Sequence, residues 1–188
     1  MTRATILHST FGAALVGLLA CSDPERVPRA TGTDVDDDGA SDSSESGAPV
    51  EVDLAMVRAA AEAYADLAPL TDVHELAETH ADAAAVRVWG TPDAQDPFEA
   101  IDPDDPTVVA TFPVDTILVK EHFDSDGGMF GLNVMYKAPE GYNPAGNDWY
   151  WLEIRGDEIT HSGRVGFCMD CHEAAINSDF VVGFGKSQ

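Results

Sequence analysis

Residues 115–123 read DTILVKEHF, and their alternation decides the fold. In an extended chain successive side chains point to opposite faces. Thr116, Leu118, Lys120 and His122 therefore share one face, and Ile117, Val119, Glu121 and Phe123 the other. Stretches of similar β-branched and aromatic richness lie on both sides: AVRVW (85–89), TVVATF (107–112), FGLNVMYKA (130–138), DWYWLEI (148–154) and DFVVGF (179–184). Turn segments rich in Gly, Pro and Asn separate several of them, namely DSDGG, PEGYNPAGN and RGDE. The acidic, Pro-rich GTPDAQDPFEAIDPDDP after the first strand reads as a loop. The pattern predicts an antiparallel meander.

Upstream the period changes. In DLAMVRAAAEAYADLAP, Asp53 suits an N-cap, and Leu54, Val57, Ala61, Tyr64 and Leu67 recur at helical spacing until Pro69. A second short helix is expected over Asp72–Ala81, DVHELAETHA. Residues 50–188 thus read as one α+β domain, N-terminal helices followed by an antiparallel β-sheet meander. No internal repeat is visible. Trp149 and Trp151 share one strand face, with Tyr150 on the other, as core or as the surface of a homodimer.

The first 49 residues have a different character. Residues 1–21, MTRATILHSTFGAALVGLLAC, carry an early Arg3 and then an apolar run ending in small residues, the form of an export signal. Leu18-Leu19-Ala20-Cys21 matches a bacterial lipobox, so lipidation of Cys21 is expected. Acyl chains there anchor a protein on a membrane without spanning it, which predicts the periplasmic side of a bacterial envelope, at the outer membrane. Residues 22–49 are Ser-, Asp-, Gly- and Pro-rich and cannot bury enough surface to fold, so they read as an acidic tether. Within them Asp34–Glu45, DVDDDGASDSSE, formally fits a calcium loop but has no flanking amphipathic helix. The 188 residues hold 10 basic and 34 acidic side chains, a net charge of -24, which excludes nucleic acid as a partner and suits docking to a basic protein.

The chemistry concentrates in GFCMDCHEA, residues 166–174. Cys168, Cys171 and His172 admit three readings. A thioredoxin-type pair belongs after an early strand in a βαβ unit, whereas this one follows antiparallel strands near the C-terminus. A structural zinc site needs four ligands, and no second pair accompanies this one. C-x-x-C-H as a unit is the attachment signature of c-type haem. Two thiols about one helical turn apart reach the two vinyl groups, and the next residue offers an imidazole to the iron. An export signal fits, because such haem is attached outside the cytoplasm. One haem c is therefore expected, with Cys168 and Cys171 as thioether donors and His172 as the proximal iron ligand.

An all-helical cytochrome c carries this motif early and an axial Met downstream, but no Met or His follows His172 here. A sixth ligand would have to come from His74, His80, His122, His161, Met129 or Met135, and no spacing selects one. An open sixth position is the alternative, and open haem sites bind or transform small molecules.

Over residues 80–184 the segments DTILVKEHF, NVMYKAPEGYNPAGNDWYWLEI and GFCMDCHEAAINSDFVV resemble the cytochrome P-460 family, which includes the β-sheet cytochromes c′. The resemblance implies an exported monohaem protein with an antiparallel sheet packed on one haem. In hydroxylamine-oxidising members a strand lysine is covalently joined to the porphyrin edge; the matching residue is Lys120 of the VKE strand. Its alternative reading is a cross-strand ion-pair partner. No motif places the distal carboxylate of those members. Phe123, Phe130 and Phe167 correspond in type to the phenylalanines that wall the distal pocket of gas-binding relatives. Three functions follow: oxidation of hydroxylamine or a related nitrogen species with an external redox partner, capture of nitric oxide or carbon monoxide without turnover, and six-coordinate electron transfer.

Overall fold

The computed structural model describes residues 49–80 and 82–184. The export segment, Cys21, the calcium-like stretch Asp34–Glu45 and nearly all of the 22–49 tether lie outside the described residues. No helix among the described residues is long and apolar enough to cross a membrane.

Helix α1 spans Leu54–Glu62 and starts where expected: the Asp53 side chain accepts from the Ala55 N–H at 2.8 Å. Its buried residues, Val57 and Ala61, lie four apart on one face. It stops short of Pro69, passing into a 3₁₀ turn at Tyr64–Asp66. The second expected helix, over 72–81, is instead a strand. β1 is Ala68–Pro69, β2 is His74–His80 and β3 is Ala83–Gly90. β2 pairs antiparallel with β3, with His74 opposite Val86 and His80 opposite Ala83. The tight reversal runs through Asp82 at φ 65. Cross-strand pairing overrides the local helical preference of Glu, Leu and Ala.

The acidic segment after β3 holds a helix where its Pro-rich composition predicts a loop. α2, Gln95–Ala100, is pinned by buried Phe98. β4 (Ile117–Phe123), β5 (Met129–Lys137), β6 (Trp149–Arg155) and β7 (Glu158–Gly163) complete an antiparallel sheet in the order β1-β3-β4-β5-β6-β7, with β2 also on β3. α3, Gly166–His172, carries the Cys and His motif. β7 was not anticipated, because its face is mostly exposed and polar. Two expected strands are absent. In 107–112, Ala110 N–H bonds Asn177 O at 3.1 Å and Phe112 N–H bonds the Asp179 carboxylate at 2.9 Å, not a strand ladder. In 179–184, Asp179 and Phe180 have φ 58 and 62, which no pleated strand accommodates.

Alternation along β4, β5 and β6 sorts the core into two layers. Val119, Leu132, Val134, Tyr150, Leu152 and Ile154 pack with α1. Leu118, Trp149 and Trp151 face the other way, with Phe98, Phe112, Phe180 and Val181. Trp149 is 0% and Trp151 5% exposed, so both build the core of this chain rather than a dimer surface. Tyr150 belongs to the opposite layer, as expected.

Candidate functional site

The strand register assembles the site. Lys120 lies opposite Asn133, Asn133 opposite Glu153, and Glu153 opposite His161. This polar row crosses four strands on the face away from α1. The adjacent row is Leu118, Met135 and Trp151, and Cys168 and Met169 of α3 pack into the same apolar layer as those residues. α3 begins with Cys168 N–H and Met169 N–H both bonded to Val165 O at 3.1 Å.

His172 is held from two sides. Its ring stands edge-on to Trp151, with centroids 4.7 Å apart and planes at 72°. Its Nδ1 lies 2.7 Å from the Phe180 carbonyl. A carbonyl only accepts, so Nδ1 donates. Burial pushes the imidazole down to about 4; the Phe180 bond works against that, and the Lys120 charge adds to it. The ring is therefore neutral at neutral pH, with its one proton on Nδ1 and Nε2 as the unprotonated nitrogen.

Both cysteines are thiols, Cys168 half-buried and Cys171 exposed. Burial pushes Cys168 up to about 12, and the Glu153 charge adds to this while Lys120 opposes it. A redox-active pair shows the opposite direction, a thiol drawn down toward neutrality. Among the described residues no three His, Cys, Asp or Glu side chains converge as a metal cluster, which a tetrahedral zinc site requires.

Lys120 is brought to the motif. It is half-buried. Burial draws its amine down to about 8, against the pull of Cys168 and Cys171, and its charge is felt by His172 in turn. So all four sequence-selected residues, Lys120, Cys168, Cys171 and His172, gather on one face of the sheet. The other candidates scatter. His74 lies tilted against Phe184 with ring centroids 5.1 Å apart, and His161 meets Phe167 edge-on at 4.8 Å. Met129 is 51% exposed. His122 is fully buried beside Phe130, ring centroids 5.9 Å apart. The side chain of His80 lies outside the described residues. Phe167 is 56% exposed, edge-on to His161.

Several residues of the site were not singled out from sequence. Glu153 accepts from Arg155 Nε at 2.9 Å and Thr160 Oγ1 at 2.9 Å, and its other contact is His161 Nδ1 at 2.7 Å. Burial alone would raise its pKa, but bonds from His161, Thr160 and Arg155 hold the carboxyl below its usual value. It lies two strands from Lys120, a placement that only the register reveals. Asn133 Oδ1 and Trp151 Nε1 are buried and find no hydrogen-bond partner among the described residues. No model of a known family matches the chain, and no curated protein matches it.

Proposed function

We propose that residues 50–188 form a monohaem c-type domain, with thioether links from Cys168 and Cys171 and with His172 Nε2 as proximal iron ligand. One observation carries the reading: His172 is neutral and gives Nδ1–H to the Phe180 carbonyl at 2.7 Å, which makes Nε2 its unprotonated nitrogen. Metal-ligating histidines are oriented in this way by a backbone acceptor on the other nitrogen. The donor set also fits. Two free thiols lie on one short helix beside the imidazole, and the orphaned Trp151 Nε1 is a donor that suits a carboxylate of a group seated against the sheet.

A bound haem supplies an iron that takes a small ligand on its open side and exchanges single electrons. The substrate we infer is hydroxylamine or a related nitrogen species. Lys120 borders the attachment cysteines and is the group placed to tune the macrocycle, in keeping with the cytochrome P-460 resemblance. Glu153 provides a carboxylate on the same face. Electrons would leave to an external acceptor, and the net charge of -24 favours a basic one. Export and anchoring through Cys21 rest on the lipobox alone. The alternative is capture of nitric oxide or carbon monoxide at the same iron without turnover, which the resemblance to the β-sheet cytochromes c′ implies.

The test is the optical spectrum of protein matured in a bacterial host competent for haem attachment. A strongly red-shifted ferrous Soret band, restored to normal in Lys120→Arg, supports the hydroxylamine reading. An ordinary high-spin c-type spectrum favours gas binding. Colourless protein with two unmodified thiols ends the haem reading.

A further inference from the structure

The chain beyond α3 is held in an unusual conformation. A 3₁₀ run, Glu173–Ser178, ends at Asp179 with φ 58 and ψ 41, and Phe180 follows at φ 62. Two consecutive left-handed residues, neither of them Gly and one bulky, are strained and persist only where the surroundings enforce them. Here the enforcement is visible. The Asp179 carboxylate is 2% exposed and accepts from Lys137 Nζ at 2.6 and 2.9 Å and from Phe112 N–H at 2.9 Å. Asn147 Nδ2 donates to the same carboxylate. Trp149 Nε1 donates to the Asp179 carbonyl at 2.7 Å and lies 3.1 Å from the carboxylate. Lys137 is itself buried, bonds Asn147 O at 2.7 Å, and lies over the Trp149 ring.

These donors come from β5, β6, the loop between them and the segment before β4. They clamp one residue in the left-handed region, and the next residue's carbonyl is the acceptor of His172 Nδ1. The turn itself closes through Phe180 N–H to Ala175 O at 2.9 Å and Val181 N–H to Ser178 O at 3.0 Å. A reversal needing only closure would be met by Gly at both positions. A buried ion pair with three further donors is far more than closure demands, and its geometric product is the aim of one carbonyl.

We propose that Asp179, fixed by Lys137, is a positioning residue for the proximal ligand: it sets the Phe180 carbonyl that orients His172 and holds its proton on Nδ1. The inference rests on the haem reading above and extends it to a residue that does not touch the haem-binding motif. An acceptor on Nδ1 strengthens the imidazole as a donor to iron. Loosening it weakens the iron–imidazole bond and raises the midpoint potential.

The test uses the haem-loaded wild type, Asp179→Asn and Asn147→Gly. The second variant removes one exposed donor to Asp179 at a position already at φ 49, where Gly fits, so folding is retained even if the first variant is too unstable. Resonance Raman of the ferrous state reports the iron–histidine stretch, and redox titration the potential. The expected result is a downward shift and broadening of the stretch with a raised potential, larger in Asp179→Asn, at unchanged haem content. Unchanged stretch and potential in both folded, fully loaded variants overturn the proposal and leave the haem reading intact. A wild type that takes up no haem overturns both, and is recognised before any variant is measured.

Discussion

The Trp151 ring meets the His172 ring edge-on at 4.7 Å, so the sheet braces the motif's histidine through a core tryptophan. Trp151 is 5% exposed. Trp151→Ala should cost about 3–5 kcal/mol in urea unfolding, as for other buried aromatic deletions. Trp151→Phe keeps a ring against His172 and deletes an N–H that has no acceptor among the described residues, so less than half that loss is expected. Equal losses in the two variants would show that the brace is not the ring contact.

On the opposite face Glu121 is buried, accepting from Tyr64 Oη at 2.7 Å and Trp89 Nε1 at 2.8 Å. Burial, then the bond to Glu121, pushes the Tyr64 hydroxyl up to about 12, and burial with the Asp115 bond does the same for Tyr136. A folded-state pKa above the unfolded value near 10 stabilises fully below pH 10 and loses its effect as pH rises toward 12. Urea midpoints should therefore fall between pH 10 and 12. Tyr64→Phe should flatten part of that fall while costing about 1.5–3 kcal/mol at pH 7, the scale of one bond to a charged acceptor. A wild-type midpoint independent of pH across this window would contradict the assignment.

How much was legible in advance follows from where the determining forces lie. Lys120 and Val119 point to opposite faces, as period-two alternation requires, and Asp53 caps α1, because both effects are local. The strand at 74–80 reads locally as a helix because HELAETH has helix-forming composition, and only pairing with β3 makes it extended. The segments 107–112 and 179–184 have strand composition but answer to Asp179, whose donors are distant in sequence: Lys137 is 42 positions away and Phe112 is 67. Cys168, Cys171 and His172 were legible because the chemistry fixes their spacing. Glu153, Asn133 and Trp151 were not, since their nearness to the motif depends on the register of three strands.

The two cysteines should differ in reactivity before haem is attached. Cys168 is half-buried with its thiol pushed up to about 12, first by burial and then by Glu153, whereas Cys171 is exposed. Only thiolate reacts with iodoacetamide. At pH 8 the apoprotein should be alkylated at Cys171 well before Cys168, followed by peptide mass spectrometry. Glu153→Gln should speed Cys168. Haem-loaded protein should be alkylated at neither, because both sulfurs are in thioethers. Equal rates in the apoprotein, or full alkylation of coloured protein, would count against this arrangement.

The last prediction concerns the side of the iron opposite His172. Of the candidate sixth ligands, His74 and His161 are engaged with Phe184 and Phe167, Met129 is largely in solvent, and the His80 side chain lies outside the described residues. His122 and Met135 remain, since both share the Lys120 face: His122 two residues along β4, Met135 opposite Leu118 on β5. His122 is fully buried beside Phe130, and Met135 packs in the apolar layer with Trp151. Lys120, between them, is the group on this face whose charge acts on both cysteines and on His172. The ferric protein is therefore expected to be high-spin, and His122→Leu and Met135→Leu, which roughly conserve volume, should leave its spectrum high-spin. A low-spin wild type that turns high-spin in either variant would identify that residue as the sixth ligand and replace the open-site reading with an electron carrier.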